Sequence, residues 1–325
     1  MTWNNLPHDP QMMYLDVDVA AGTTFGVGAA IAVFGMTSGS SFTNDGSVFQ
    51  STPDYPFVSS SQNAAATDDH TYYLVGGFQQ SIRDGYYDGV MASFDGAKTV
   101  EYFDWNIDTI ARYGSFPSNT TWFISGGTWP AAEDRQRHHR QRASGTFHLT
   151  PRVEIVKQGK NRIHRVNLDS KIMGTADGYV GIIGRTTDGG QTFQAVYSDL
   201  NRFYFNGIDC VDNLNCWAVA EGPDGAWIVA TSDGGNSWRE QFFQSSASLF
   251  DIKFINTKEG WAVGGSITAV TFNALFLHTM DGGNTWVNAN SIDNAYPNSL
   301  AVVNSGRAYA TAFLRNGLSS ILVYK

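Results

Sequence analysis

Charge is scarce in this sequence. Asp, Glu, Lys and Arg make up 16% of its 325 residues, against about 25% in ordinary soluble domains. So thin a charged surface, with abundant Ser, Thr, Asn and Gly, suits a secreted or lumenal β protein better than a helical cytosolic enzyme. Basic charge is the scarcer sign. The 21 Lys and Arg face 30 Asp and Glu, for a net charge of −9, which excludes broad nucleic-acid binding through phosphate neutralisation. Long apolar runs are also missing, and no stretch reaches the roughly 18 residues of a membrane span. Residues 19–36, VAAGTTFGVGAAIAVFGM, come nearest, but Gly and Thr interrupt them and they read as strands. No charged leader precedes them, so a mature domain without its targeting segment is expected.

Cysteine is limited to Cys210 and Cys216, in IDCVDNLNCWAV. The polar residues between them suit a hairpin loop that sets the sulfurs opposite each other. A disulfide fits and implies an oxidising compartment; two reduced thiols in a cytosolic hairpin are the alternative. CxxC metal spacing is absent. The adjacent His138 and His139 would point to opposite faces of a strand, a poor metal site. No nucleophile elbow, phosphate loop or zinc motif occurs, and no metal or cofactor is expected. Asn119-Thr120-Thr121 is a glycosylation sequon, meaningful only in a secreted eukaryotic chain.

What the sequence does contain is a repeat. TTDGGQTF at 186–193, TSDGGNSW at 231–238 and TMDGGNTW at 279–286 share one pattern. Asp188, Asp233 and Asp281 lie 45 and 48 residues apart, a period typical of propeller blades. Before each turn come an alternating apolar run, a polar loop and an aromatic-Ala-Val segment, as in LFDIKFINTKEGWAVGG at 249–265. A third apolar run follows, so each unit reads as four short strands. Weaker copies lie upstream, SFDGAKTV at 93–100 and FTNDGSVF at 42–49. At the C-terminal end, 299–325 offer three strands, and Thr2-Trp3 repeats the pair that opens the fourth strand elsewhere. An open ring leaves an exposed edge, so the N-terminal strand is expected to complete the last blade. The count is seven blades in one all-β propeller domain over 1–325.

Each residue type in the turn has a structural task. Asp accepts from backbone N–H groups two residues on, the glycines supply positive φ, and the final aromatic covers the sheet. Asp188, Gly190, Thr192, Asp233, Gly235, Trp238, Asp281, Gly283 and Trp286 are therefore read as structural, with no catalytic residue among them. The consensus is that of the Asp-box, or bacterial neuraminidase repeat. With the Trp-Ala-Val segment before it, the unit resembles the photosystem II stability/assembly factor family, most closely over 204–290. That resemblance implies a propeller, and in the family a reaction-centre protein is bound through an arginine-containing patch. No residue of such a patch is matched here.

Two enzyme classes share the repeat. A sialidase needs an arginine triad, and its usual Arg-Ile-Pro motif is absent; a xyloglucanase usually spans two propellers. Asp16, Asp18, Asp209 and Asp251 fall on expected innermost strands, facing either the channel or a neighbouring blade, and are candidates for a glycosidase pair. One segment departs from the acidic remainder. EDRQRHHRQR, 133–142, carries Arg135, Arg137, His138, His139, Arg140 and Arg142 and reads as an exposed loop, either a basic contact for an acidic partner or a solvated insertion. The leading reading is a non-enzymatic, monomeric scaffold, secreted or lumenal, that binds a protein partner during complex assembly. A glycoside hydrolase-like enzyme and a glycan-binding, lectin-like propeller are the alternatives.

Overall fold

The computed structural model describes residues 2–7, 12–20, 23, 25–32, 40–51, 60–78, 87–104, 110–118, 121–127, 154–155, 180–185, 194–200, 202–289 and 292–325. Within them the regular structure is all β and the pairing antiparallel. The two clearest units match the four-strand reading. Tyr204–Cys210, Cys216–Gly222, Gly225–Thr231 and Arg239–Ser245 form one meander; Ser248–Phe254, Gly260–Ile267, Phe272–Thr279 and Val287–Asn288 form the next. Two N-terminal meanders, beginning at Met12–Val19 and Ser60–Ala66, are joined into one larger sheet by the single pair Ile31 and Ser60. The last sheet is composite. Ala295–Asn304, Arg307–Leu314 and Ser319–Tyr324 are completed by Trp3–Leu6, which pairs in register from Trp3 with Tyr324 to Leu6 with Ile321.

Burial explains the composition of each strand. The middle strand GAWIVAT is buried at every position, as expected where both faces of a sheet are covered. Its outer neighbour REQFFQS is largely exposed. The apolar core lies between successive sheets. One cluster joins Trp217 and Ile228 to Leu249 and Ile252 of the following sheet; another joins Tyr14 and Val17 to Ala301, Tyr309 and Ile321 of the C-terminal sheet. Trp3, 3% exposed, stacks on Phe276 at 4.3 Å, so the N-terminal strand packs against the sheet preceding the one it completes.

Every inner strand with a described partner carries a backbone bulge, at Leu15, Gln62, Arg112, Asn206, Phe250 and Asn298. A bulge re-aims the side chain that follows it. The residue after the bulge is Asp16, Asn63, Asp251 or Ser299 in four of these strands. At Gly207 a Cβ would meet the Phe250 carbonyl of the neighbouring sheet at 3.0 Å, which explains a glycine at this close approach.

Two of the described turns share one design. At 231–237, Thr231 Oγ1 donates to Asp233 Oδ1 at 2.7 Å and accepts the Gly235 N–H at 2.9 Å. The Ser237 N–H and hydroxyl donate to the two Asp233 oxygens at 2.9 and 2.5 Å. The turn at 279–285 repeats the pattern with Thr279, Asp281, Gly283 and Thr285. The backbone acceptor span thus differs from expectation: the carboxylate reaches four residues on, not two. The cause is the pair of left-handed glycines, Gly234 at φ 73° and Gly235 at φ 88°, which lengthen the turn. The two-residue span occurs at 43–47, where Asp45 accepts the Ser47 N–H at 2.8 Å.

The turns also reach the preceding sheet. The Gly282 carbonyl accepts Trp217 Nε1–H at 3.2 Å and Gln241 Nε2–H at 2.8 Å, the Gly234 carbonyl accepts from Arg185 at 2.8 Å, and the Gly46 carbonyl accepts the Tyr309 hydroxyl at 3.2 Å. Trp238 and Trp286 are half-buried. Trp238 packs with Tyr197 of the preceding sheet, and Trp286 with Phe254 of its own.

Candidate functional site

The inner strands bring the flagged carboxylates to the contacts between sheets. Asp16 Oδ2 accepts the Asn63 amide at 2.6 Å and the Ala64 N–H at 2.8 Å, both from the following meander. Asp18 Oδ2 accepts the Ala66 N–H at 3.0 Å, Asp209 Oδ2 the Phe254 N–H at 2.8 Å, and Asp251 Oδ2 the Leu300 N–H at 3.1 Å. Asn63 continues the series by accepting the Gly114 N–H at 2.8 Å. Ser299, in the C-terminal sheet, accepts the Val17 N–H of the N-terminal sheet at 3.3 Å. Of the two orientations left open by sequence, facing the channel or the neighbour, all four carboxylates bond the neighbour.

Asp16 and Asp251 meet at one hydroxyl. Ser299 Oγ–H donates to Asp16 Oδ1, while Asp251 Oδ2 lies 3.4 Å from the same oxygen. A hydroxyl has one proton to give, so it cannot serve both acids fully. Lys253 Nζ stands 3.8 Å from Asp251 Oδ1. Burial and then the Asp251 charge push Asp16 up to about 6, against the opposing hydrogen bonds from Ser299 and Ala64 and the Lys253 charge. A carboxyl tuned this way resembles a general acid in its pKa. Its oxygens, however, are committed to backbone and side-chain donors, which makes it a strut between sheets.

A groove of about 1080 Å³ opens among the C-terminal sheet and the two N-terminal meanders, at the end that carries the repeated turns. Phe25 and Val303 supply apolar wall, and His70, Lys98, Asn304 and Arg307 supply polar groups. Two acids also line it and are occupied locally. Asp95 accepts Ser93 Oγ–H, the Lys98 and Thr99 N–H groups and the Thr99 hydroxyl, which hold it down at about 2 with the Thr99 hydroxyl as the largest cause. Asp69 Oδ1 pairs with His70 Nδ1 at 2.6 Å. The side chains of Lys98 and Arg307 make no hydrogen bond or ion pair with the described residues.

Other expected residues fall differently. Cys210 and Cys216 are joined by a disulfide across the end of their hairpin, where the two are register partners. Asp188, Gly190 and Thr192, the basic segment Arg135, Arg137, His138, His139, Arg140 and Arg142, and Asn119 lie outside the described residues. No helix among the described residues is long and apolar enough to cross a membrane. The groove was missed from sequence, although Lys98 carried a signal. It stands where the other turns have Asn236 and Asn284, whose amides donate back to the Asp233 and Asp281 carbonyls at 2.7 and 2.6 Å. Lysine has no such short tether, so the departure from the repeat marked a side chain released toward the groove.

No protein-family model matches the sequence, and no curated protein does. Among solved structures, YCF48 from Cyanidioschyzon merolae is 12% identical over 100% of this chain and 98% of its own, with a TM-score of 0.58. YCF48 bound to D1 peptide is 13% identical over 100% and 97%, with a TM-score of 0.56. The fold thus resembles that of the photosystem II assembly factor YCF48. A xyloglucanase from Xanthomonas campestris is 10% identical, covering 98% of this chain and 45% of its own, at a TM-score of 0.45, which carries no argument for an enzyme.

Proposed function

We propose that this chain is a non-enzymatic propeller scaffold that binds a protein partner, in the manner of a complex-assembly or stability factor. The observation that carries the reading is the groove between the C-terminal sheet and the two N-terminal meanders, walled by apolar side chains and two cations that are unpaired among the described residues. Convergent polar groups in an open concavity are the usual form of a binding site. The YCF48 structure with a D1 peptide supports a peptide-binding role for this kind of fold. The architecture we propose is a single domain over 1–325, seven blades, with Trp3–Leu6 closing the ring. The packing of Tyr14 and Val17 on the C-terminal sheet supports closure. The disulfide supports an oxidising compartment, and we propose a secreted or lumenal monomer needing no cofactor. The repeated turns serve as structure in this reading, and the segment 133–142 serves as a second, basic contact.

The carbohydrate-active alternative requires two carboxylates presented to a sugar. Asp16 and Asp251 instead accept backbone N–H groups across sheet contacts, which weighs against that use. The test is capture from the native source by three baits: wild type, a groove variant (Lys98→Ala with Arg307→Ala), and a form with Arg135, Arg137, Arg140 and Arg142 replaced by Gln. A protein recovered by wild type and lost with either variant supports the scaffold. Recovery of polysaccharide alone would overturn it.

A further inference from the structure

We infer that the groove holds a carboxylate-bearing peptide segment, with Lys98 and Arg307 as its two charge contacts; this rests on the binding function proposed above and names its ligand chemistry. Two observations lead there. First, the groove's own acids are held by local donors, Asp95 by its turn and Asp69 by His70, and neither forms an ion pair with Lys98 or Arg307 among the described residues. Second, the two cations come from different sheets, Lys98 from the turn at 93–99 and Arg307 from the strand Arg307–Leu314, and neither pairs with an acid among the described residues. The chain's formal net charge is −9, so long-range attraction does not draw an acidic ligand. Recognition must come from local pairing at these two side chains.

The geometry favours a peptide over a small anion. A space of about 1080 Å³ is at the upper end of ordinary ligand pockets, roughly 300–1,000 Å³, and far exceeds one phosphate. Its walls include Phe25 and Val303 beside the cations, which suits a chain that alternates carboxylates with apolar or aliphatic stems. Arg307 offers a planar fork that grips a carboxylate bidentately, and Lys98 a point charge on a flexible stem. A segment bridging both would tie the C-terminal sheet to the N-terminal sheets.

The test uses the full chain and a fluorescent hexaglutamate peptide, read by anisotropy at low and high salt. Wild type should bind it, with affinity falling as salt rises. Lys98→Ala or Arg307→Ala alone should weaken binding several-fold and the pair at least tenfold, with unchanged thermal melts. Lys258→Ala, an exposed lysine outside the groove, should bind as wild type does. Equal binding by the double variant, or no wild-type binding at millimolar peptide, overturns the inference. So does inorganic phosphate that displaces the peptide at equal concentration, since that would make the groove a general anion site. Capture of a partner that hexaglutamate cannot compete and the double variant retains would sink this inference and leave the scaffold intact. Groove-specific hexaglutamate binding with no captured protein would do the reverse.

Discussion

Replacing Asp16 by Asn should stabilise this protein at neutral pH and leave it unchanged near pH 4. Asp16 sits at about 6 rather than the ordinary 3.8, so between those values the folded state holds a proton that the unfolded chain has released. Stability must then fall as pH rises through that window and level off above about 6. A shift of about 2 units at about 1.4 kcal/mol each is a penalty of about 3 kcal/mol at pH 7. The asparagine amide mimics the protonated acid. Its oxygen can accept from Ala64 and Asn63, and its NH₂ can donate to Ser299 Oγ, freeing that hydroxyl to turn toward Asp251, now 3.4 Å away. Urea unfolding followed by tryptophan fluorescence, at half-unit steps from pH 4 to 7.5, checks this. The difference between variant and wild type should grow from near zero to as much as about 3 kcal/mol, and titrating groups remote from Asp16 cancel in it. A pH-independent difference, or a variant weaker at pH 7 than at pH 4, would refute the account of the Asp16, Ser299 and Asp251 contact.

Three further outcomes follow from other contacts. Trp261→Ala, at a fully buried ring stacked 3.8 Å from His278, should cost about 3–5 kcal/mol in urea unfolding, and the half-buried Trp238→Ala distinctly less. Asp233→Ala should lower the melting temperature and flatten its acid limb. The Ser237 hydroxyl and N–H, then Thr231, hold that carboxyl at about 2, so its stabilisation is full above pH 3.8 and lost as pH falls toward 2. Reduction of the Cys210–Cys216 bond, which closes a loop with sequence separation 6, should lower unfolding free energy by about 2 kcal/mol on loop-entropy grounds. Alkylation mass spectrometry should count two thiols only after reductant.

The repeat made the four-strand units legible because each turn needs the same few residues in the same order. Thr231, Asp233 and Ser237 recur in kind as Thr279, Asp281 and Thr285, and the spacing between copies sets the unit length. The carboxylates Asp16, Asp209 and Asp251 could be assigned to inner strands by alternation alone. Which neighbour they would bond could not, because a bulge shifts the side chain by one residue, and Leu15, Asn206 and Phe250 share no residue type that announces it. The groove was illegible for a different reason. Lys98 comes from one turn and Val303 and Arg307 from a distant hairpin that no repeat relates to it, and only the replacement of Asn by Lys98 in a degenerate turn gave a signal.

The hydrogen bonds between sheets have a mechanical consequence. The contact between the sheets beginning at Tyr204 and Ser248 is fastened near its inner strands, Asp209 to Phe254, and again near its outer turn, Trp217 and Gln241 to Gly282. The contact between the C-terminal and N-terminal sheets has the same two fastenings, Ser299 to Val17 and Tyr309 to Gly46. Two plates pinned at one point can pivot about it; pinned at two separated points, they must shear both pins to move. A load applied at one sheet therefore passes to the next as a tilt of the pair, and the doubly pinned contact between the C-terminal and N-terminal sheets, which the groove spans, resists being pried apart as the groove is filled.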